Sequence, residues 1–156
     1  MPQVVLVHPQ IPPNTGNIAR TCAATDTALH LVEPLGFEIS DRYLKRAGLD
    51  YWPYVNLHRH PSWEAFCTVH QQHGGRLISF STSGSCSYIQ VEFRANDWLI
   101  FGSETSGLPS EILASSDAIV RIPMRQPKVR SLNLSVSVTV GLFEACLLYT
   151  SDAADE

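Results

Sequence analysis

Trp98-Leu99-Ile100-Phe101-Gly102-Ser103-Glu104-Thr105-Ser106-Gly107-Leu108-Pro109 decides the fold class. Four bulky apolar residues in succession read as a buried strand, and Gly102 ends it. A second glycine follows five residues later, and Pro109 opens a short helix, Pro109–Ser115. A further strand, Ala118–Ile122, then ends at Pro123. Strand, loop, helix and strand in that order predict two parallel strands joined by a crossover.

The same alternation extends outward in both directions. Strands are expected at Val4–Val7, Leu29–Glu33, Tyr54–Leu57 and Arg76–Phe80. Helices are expected at Asn14–Thr25, capped by Asn14 or Thr15, and at Asp41–Ala47, ended by Gly48. Two more are expected at Ser62–His73, capped by Ser62, and at Asn133–Leu148, capped by Ser131 or Asn133. The predicted architecture is a single α/β domain, a mostly parallel sheet flanked by helices. In such sheets ligands sit beyond the carboxyl ends of the strands, so the loops there are the informative segments.

Composition narrows the function classes. The chain has 156 residues, 44% hydrophobic and 17% charged, enough for a full core and against disorder. Eleven Lys and Arg against fifteen Asp and Glu give a formal charge of −4, which argues against holding nucleic acid by bulk charge. No apolar run reaches membrane-spanning length, and Met1–His8 reads as a first strand and not a leader. Cys22, Cys67, Cys86 and Cys146 are widely spaced, as buried thiols of a cytoplasmic protein would be. Among the six histidines only His58 and His60 form an alternating pair, and no metal site is expected.

Three loops carry polar side chains suited to chemistry. In Pro9–Arg20, two prolines open a helix that places Asn14, Asn17 and Arg20 three residues apart on one side, with Ile18 about 200° around from Arg20. Amides and a guanidinium there suit a phosphate or ribose; a capped surface helix with an exposed arginine is the alternative. In Phe101–Pro109, Glu104 is a lone acid between two glycines, able to accept from a ribose hydroxyl or a ligand amine; an ordinary strand–turn–helix joint is the alternative. Neither GxGxxG nor GK[ST] is present, so the common dinucleotide and P-loop sites are unsupported. In Ile122–Ser137, Arg125, Lys128 and Arg130, with Arg121 before them, form a local basic patch fit for a phosphate backbone, or a solvated loop. A second basic group, Arg42, Lys45 and Arg46, lies on the short polar helix.

Taken in order, these loops resemble the signature motifs of the SPOUT superfamily of RNA methyltransferases, and within it the branch that methylates the wobble nucleotide of tRNA. Asn14–Arg20 is similar to the first motif, Phe101–Pro109 to the second, and Ile122-Pro123-Met124 with Ser131–Ser135 to the third. Leu29–Phe37 and Ala47–Tyr51 resemble family segments, and the likeness runs from about Val4 to Ala145.

The resemblance implies an S-adenosyl-L-methionine-dependent enzyme. It would methylate the ribose 2′-hydroxyl of tRNA nucleotide 34, a cytidine or modified uridine. It implies a C-terminal deep trefoil knot, a homodimer and a cytoplasmic setting without a membrane. The implied catalytic set is Asn14, Arg20, Glu104, Ser131 and Asn133, with Arg20 reaching the partner subunit's cofactor. The implied cofactor pocket is Phe80, Gly102, Ile122, Ser131 and Leu132. RNA contacts fall to Arg42, Arg46, Arg125, Lys128 and Arg130. The methyltransferase domain would be 1–145, and the tail 146–156 departs from the family's continuing amphipathic helix. Val136 and Phe143 stand where the family commonly has Asn and Tyr. A relative acting on ribosomal RNA or another tRNA position, a catalytically inactive RNA-binding relative, and a nucleotide-sensing domain unrelated to RNA are the other classes.

Overall fold

The computed structural model describes residues 1–48 and 51–154. Among the described residues seven strands are β1 (Gln3–Val7), β2 (Leu29–Val32), β3 (Leu57–His60), β4 (Leu77–Phe80), β5 (Cys86–Ser87), β6 (Trp98–Phe101) and β7 (Ala118–Arg121). The α-helices there are α1 (Pro12–Ala24), α2 (Arg42–Gly48), α3 (Trp63–His73), α4 (Ser110–Ser115) and α5 (Leu134–Ala154). The strands form one sheet in the order β3-β2-β1-β6-β4-β7-β5, and every pairing is parallel.

Side-chain alternation along each strand builds two cores. Val4 and Leu6 of β1, Leu99 and Phe101 of β6, and Ile78 and Phe80 of β4 face one side. There they meet Ile18, Ala19 and Cys22 of α1, and Leu134, Val138, Leu142 and Ala145 of α5. Val5, Val7, Trp98, Ile100 and Leu77 face the other side and meet Phe66 of α3 and Ile112 of α4. The helices therefore cover both faces, which is why the central strands read as continuous apolar runs. At Gly141, α5 comes so close to the sheet that a Cβ would stand 2.7 Å from the Phe80 ring.

Buried polar groups tie the strand starts. Asp97 is fully buried; it receives Nε and Nη2 of Arg76 at 2.9 and 2.8 Å and the Arg94 amide at 2.8 Å. That pairing holds the Arg76 guanidinium protonated to still higher pH than usual. Asp117 accepts the Leu77 amide at 2.7 Å. His30, also buried, lies 2.9 Å from His60 and 2.6 Å from Gln3 Oε1, and its ring stacks on those of His58 and His60. Burial, with His58, His60 and His73 nearby, pushes its pKa down to about 3.

Local expectations are corrected at four places. The helix start moves back to Pro12, because Pro12 and Pro13 occupy its first two positions; Ile11 is the cap residue, and neither Asn14 nor Thr15 caps. The strand expected at Tyr54–Leu57 is instead a 3₁₀ turn, Trp52–Tyr54, followed by β3, whose register is set by pairing with β2 from Leu29↔Leu57 to Val32↔His60. The two-residue β5 was not expected, being too short to show a period; it exists because it pairs with β7. Finally, α5 continues through Ala154, beyond the expected end at Leu148. No glycine or proline after Gly141 interrupts it. Ser62 caps α3 as expected, accepting the Ala65 amide at 3.1 Å. Leu49 and Asp50 of the family-like segment lie outside the described residues.

Candidate active site

The site forms where the loops leaving β1, β4, β6 and β7 meet the start of α5. They enclose a cleft of about 470 Å³. Its walls come from Ile11 and Asn14, from Phe80 to Thr82, from Phe101 to Leu108, from Ile122 and Met124, and from Arg130 to Leu134 with Ser137.

Each loop has a local reason for its shape. After β6, Ser103 and Gly107 form a small antiparallel bridge, with amide-to-carbonyl bonds of 3.3 and 3.1 Å. Gly107 takes φ +65°, and a Cβ on Gly102 would lie 2.2 Å from the Gly107 carbonyl carbon. Two passes of backbone can lie this close only with glycine at Gly102. The Ser103 hydroxyl locks the turn by accepting the Ser106 amide at 3.1 Å. Before α5, Asn133 Oδ1 accepts the amides of Ser135 at 2.9 Å and Val136 at 3.3 Å. Asn133, of the two candidates, is thus the cap.

A relay of polar side chains joins the three loops. Glu104 accepts the Gln10 amide at 2.9 Å, the Ile11 amide at 2.7 Å and Asn14 Nδ2 at 3.2 Å. Asn14 Oδ1 in turn accepts Asn133 Nδ2 at 3.1 Å. Asn14 is buried and uses both ends of its amide in the relay. From the loop after the neighbouring strand β6, Glu104 holds the amides of Gln10 and of the cap residue Ile11, its negative charge lying at the positive end of α1, which has no side-chain cap of its own.

The structure brings together Asn14, Glu104, Ser131, Asn133, Phe80, Gly102, Ile122, Leu132 and Arg130 around this cleft. It does not bring Arg20, Arg42, Arg46, Arg125 or Lys128 into the lining. Arg20 is exposed on α1, with its guanidinium 4.6 Å above the Tyr51 ring. Arg42 lies over the ring of Tyr43, Arg46 is exposed on α2, and Arg125 and Lys128 are exposed on the loop after β7. Arg121 is committed to the fold, donating to the Gly84 carbonyl at 3.0 Å. Sequence reasoning missed Ser103, Ser106, Thr82 and Met124, whose small or apolar side chains carry no signal of their own. It also gave Tyr51 no role, although that residue sits in a family-like segment.

The arrangement suits a ligand with a flat ring and polar substituents. The cleft is of ordinary ligand size; apolar Phe80, Phe101, Ile122 and Leu132 offer surfaces for a base, and the Gly102–Gly107 backbone and Ser131 and Ser137 offer polar groups. Nucleophilic thiol chemistry has no support there. Cys22 is buried in the core, its thiol pushed up to about 12 by burial and by nearby Cys146. His30 Nδ1 and His60 Nε2 are bonded to each other at 2.9 Å, and both rings pack on Phe66, on the face opposite α1 and α5.

Residues 1–143 match the model of the SpoU rRNA Methylase family. The tRNA (cytidine(34)-2′-O)-methyltransferase of Burkholderia cenocepacia is 49% identical over 144 residues, covering 91% of this chain and 92% of that protein. A solved structure described as giving structural insights into the 2-OH methylation of C/U34 on tRNA is similar with a TM-score of 0.91 and 48% identity, covering 96% of each chain. The SpoU methyltransferase AviRb from Streptomyces viridochromogenes, solved in complex with AdoMet, is similar with a TM-score of 0.87 and 25% identity, covering 96% of this chain and 60% of that one.

Proposed function

The chain belongs to the SpoU methylase family, and from that membership and its cleft we infer that it methylates the ribose 2′-hydroxyl of nucleotide 34 of tRNA, a cytidine or modified uridine. The methyl group comes from S-adenosyl-L-methionine, whose sulfonium supplies an already activated electrophile. The observation that carries the reading is the Glu104–Asn14–Asn133 relay, which draws three loops distant in sequence around one cleft.

Phe80, Gly102, Ile122, Ser131 and Leu132 would hold the donor. The protein's remaining tasks are to align the hydroxyl and to manage its proton. A guanidinium stays charged at accessible pH, so Arg20 acts as an electrostatic clamp on the target's phosphate and on the developing alkoxide. Glu104, Asn14 and Asn133 hold the loops in register, and Ser131 faces the reacting groups. Arg42, Arg46, Arg125, Lys128 and Arg130 contact the RNA backbone.

A homodimer completes the site. Val136, Phe143 and Leu147 fall on one stripe of α5 and are each about half exposed or more, so a second copy has an apolar face to cover. Arg20 of one subunit then serves the cleft of the other. The trefoil knot is supported by the strand order: β7 lies between β4 and β5, which only residues 81–85 connect, so the chain must pass around β7. Residues 1–145 form the methyltransferase domain, and its last helix runs on through Ala154. Free cysteines among the described residues fit a cytoplasmic location.

The test is transfer of a labelled methyl group from S-adenosyl-L-methionine to tRNA, with nucleoside mass spectrometry of position 34. Wild-type protein is expected to give a 2′-O-methyl nucleoside there and none on a 2′-deoxy-34 substrate. Arg20→Ala is expected to abolish transfer while donor binding by calorimetry survives. Methylation elsewhere in the RNA, or unimpaired turnover in the variant, would refute the assignment.

A further inference from the structure

We infer that Tyr51 is a positioning residue for Arg20, holding the guanidinium by its ring face so that one edge stays fixed and the other stays open to the RNA. The inference rests on the reading of Arg20 as the group that acts on the target.

The contact has two parts. The Arg20 guanidinium carbon lies 4.6 Å from the Tyr51 ring centroid, and Nη2 donates to the Tyr51 hydroxyl at 3.3 Å. The ring's negative face attracts and orients the cation, and the hydroxyl adds one long hydrogen bond at the edge of the fork. Among the described residues, Nε and Nη1 have no partner in the chain. Those donors can serve an acceptor such as a phosphate or an alkoxide.

Both sides of the contact stand on rigid supports. Arg20 directly follows Ile18 and Ala19, which are fully buried in the core. The Tyr51 carbonyl accepts the Tyr54 amide at 2.9 Å, starting the 3₁₀ turn, and Trp52 and Val55 pack against the same core. A long exposed arginine would otherwise spread over many rotamers. Stacking removes most of them without neutralising the charge, as a carboxylate partner would. That distinction matters for a clamp, whose charge must remain available to the developing anion.

The experiment compares Tyr51→Phe, Tyr51→Leu and Arg20→Ala in the full chain. It uses single-turnover methyl transfer to tRNA with S-adenosyl-L-methionine, and the Arg20 Nε–Hε resonance in the protein without ligands. Tyr51→Leu fills the space but lacks the π face. It is expected to lower kcat at least tenfold, with the KM for S-adenosyl-L-methionine within twofold, and to move the Arg20 resonance out of the ring-current field. Tyr51→Phe is expected to stay within threefold of wild type and to keep that resonance. Should Tyr51→Leu not fold, Tyr51→Gln carries the same comparison. A wild-type rate in Tyr51→Leu beside an inactive Arg20→Ala would overturn this inference alone. Equal losses in Phe and Leu variants would overturn it too, assigning the role to the hydroxyl. An active Arg20→Ala would overturn the reading of Arg20 and the inference with it, whatever the resonance shows.

Discussion

Glu104 lies in the cleft as a lone acid, yet its carboxylate is already engaged by two backbone amides and the Asn14 side chain. Its first task is therefore to hold the Pro9–Asn14 segment against the loop after β6. Glu104→Gln presents an amide nitrogen to at least one of those N–H donors, and a donor facing a donor leaves both unmet. Such losses cost about 1–3 kcal/mol each. The variant is expected to melt several degrees lower and to lose tenfold or more in methyl transfer, measured by thermal unfolding and by single turnover. A variant with normal turnover and unchanged melting would show that the carboxylate is not the tie.

Among the elements, the paired starts of β4 and β6 depend on one buried ion. Asp97 is fully buried and its partner Arg76 is 26% exposed. Asp97→Ala leaves Arg76 Nε and the Arg94 amide without their acceptor, with only the Glu92 carbonyl still holding Nη2, and is expected to cost about 3 kcal/mol in urea unfolding. A loss under 1 kcal/mol would mean that water replaces the carboxylate. The loop after β7 is a different kind of element, open and basic. Arg125→Ala with Lys128→Ala is expected to weaken tRNA binding and to flatten log K against log salt by about 0.7–0.9 for each lost phosphate contact. An unchanged slope in filter binding would remove that loop from the RNA surface.

For the whole molecule, the most legible pH dependence comes from His30. Its folded pKa is about 3 against an ordinary value of 6.5, so the fold holds it neutral. The unfolded chain binds the proton first as pH falls. Stability from this group is therefore full above about pH 6.5 and declines from there toward pH 3, by up to about 1.4 kcal/mol per pH unit. Unfolding measured at stepped pH is expected to show that slope. His30→Gln, which keeps hydrogen-bonding groups toward Gln3 and His60 but does not titrate, is expected to reduce it. An equal slope in the variant would assign the acid sensitivity to other groups.

What could be read without coordinates was local. Apolar runs at Val4–Val7 and Trp98–Phe101 declared buried strands, Ser62 declared one helix start and Ser131 or Asn133 another, and the order of segments declared a parallel sheet. Each depends on residues within a turn or two of one another, so it is written in the chain itself. The pairing of β5 with β7, the hold of Glu104 on the amides before α1 and the seat of Arg20 on Tyr51 are contacts between segments 31 to 94 residues apart. No spacing encodes them, because they exist only once the strand order has placed those loops side by side. Residue types and motif order determined which groups the chain could bring to a site; packing of the two helical layers against one sheet decided which of them meet.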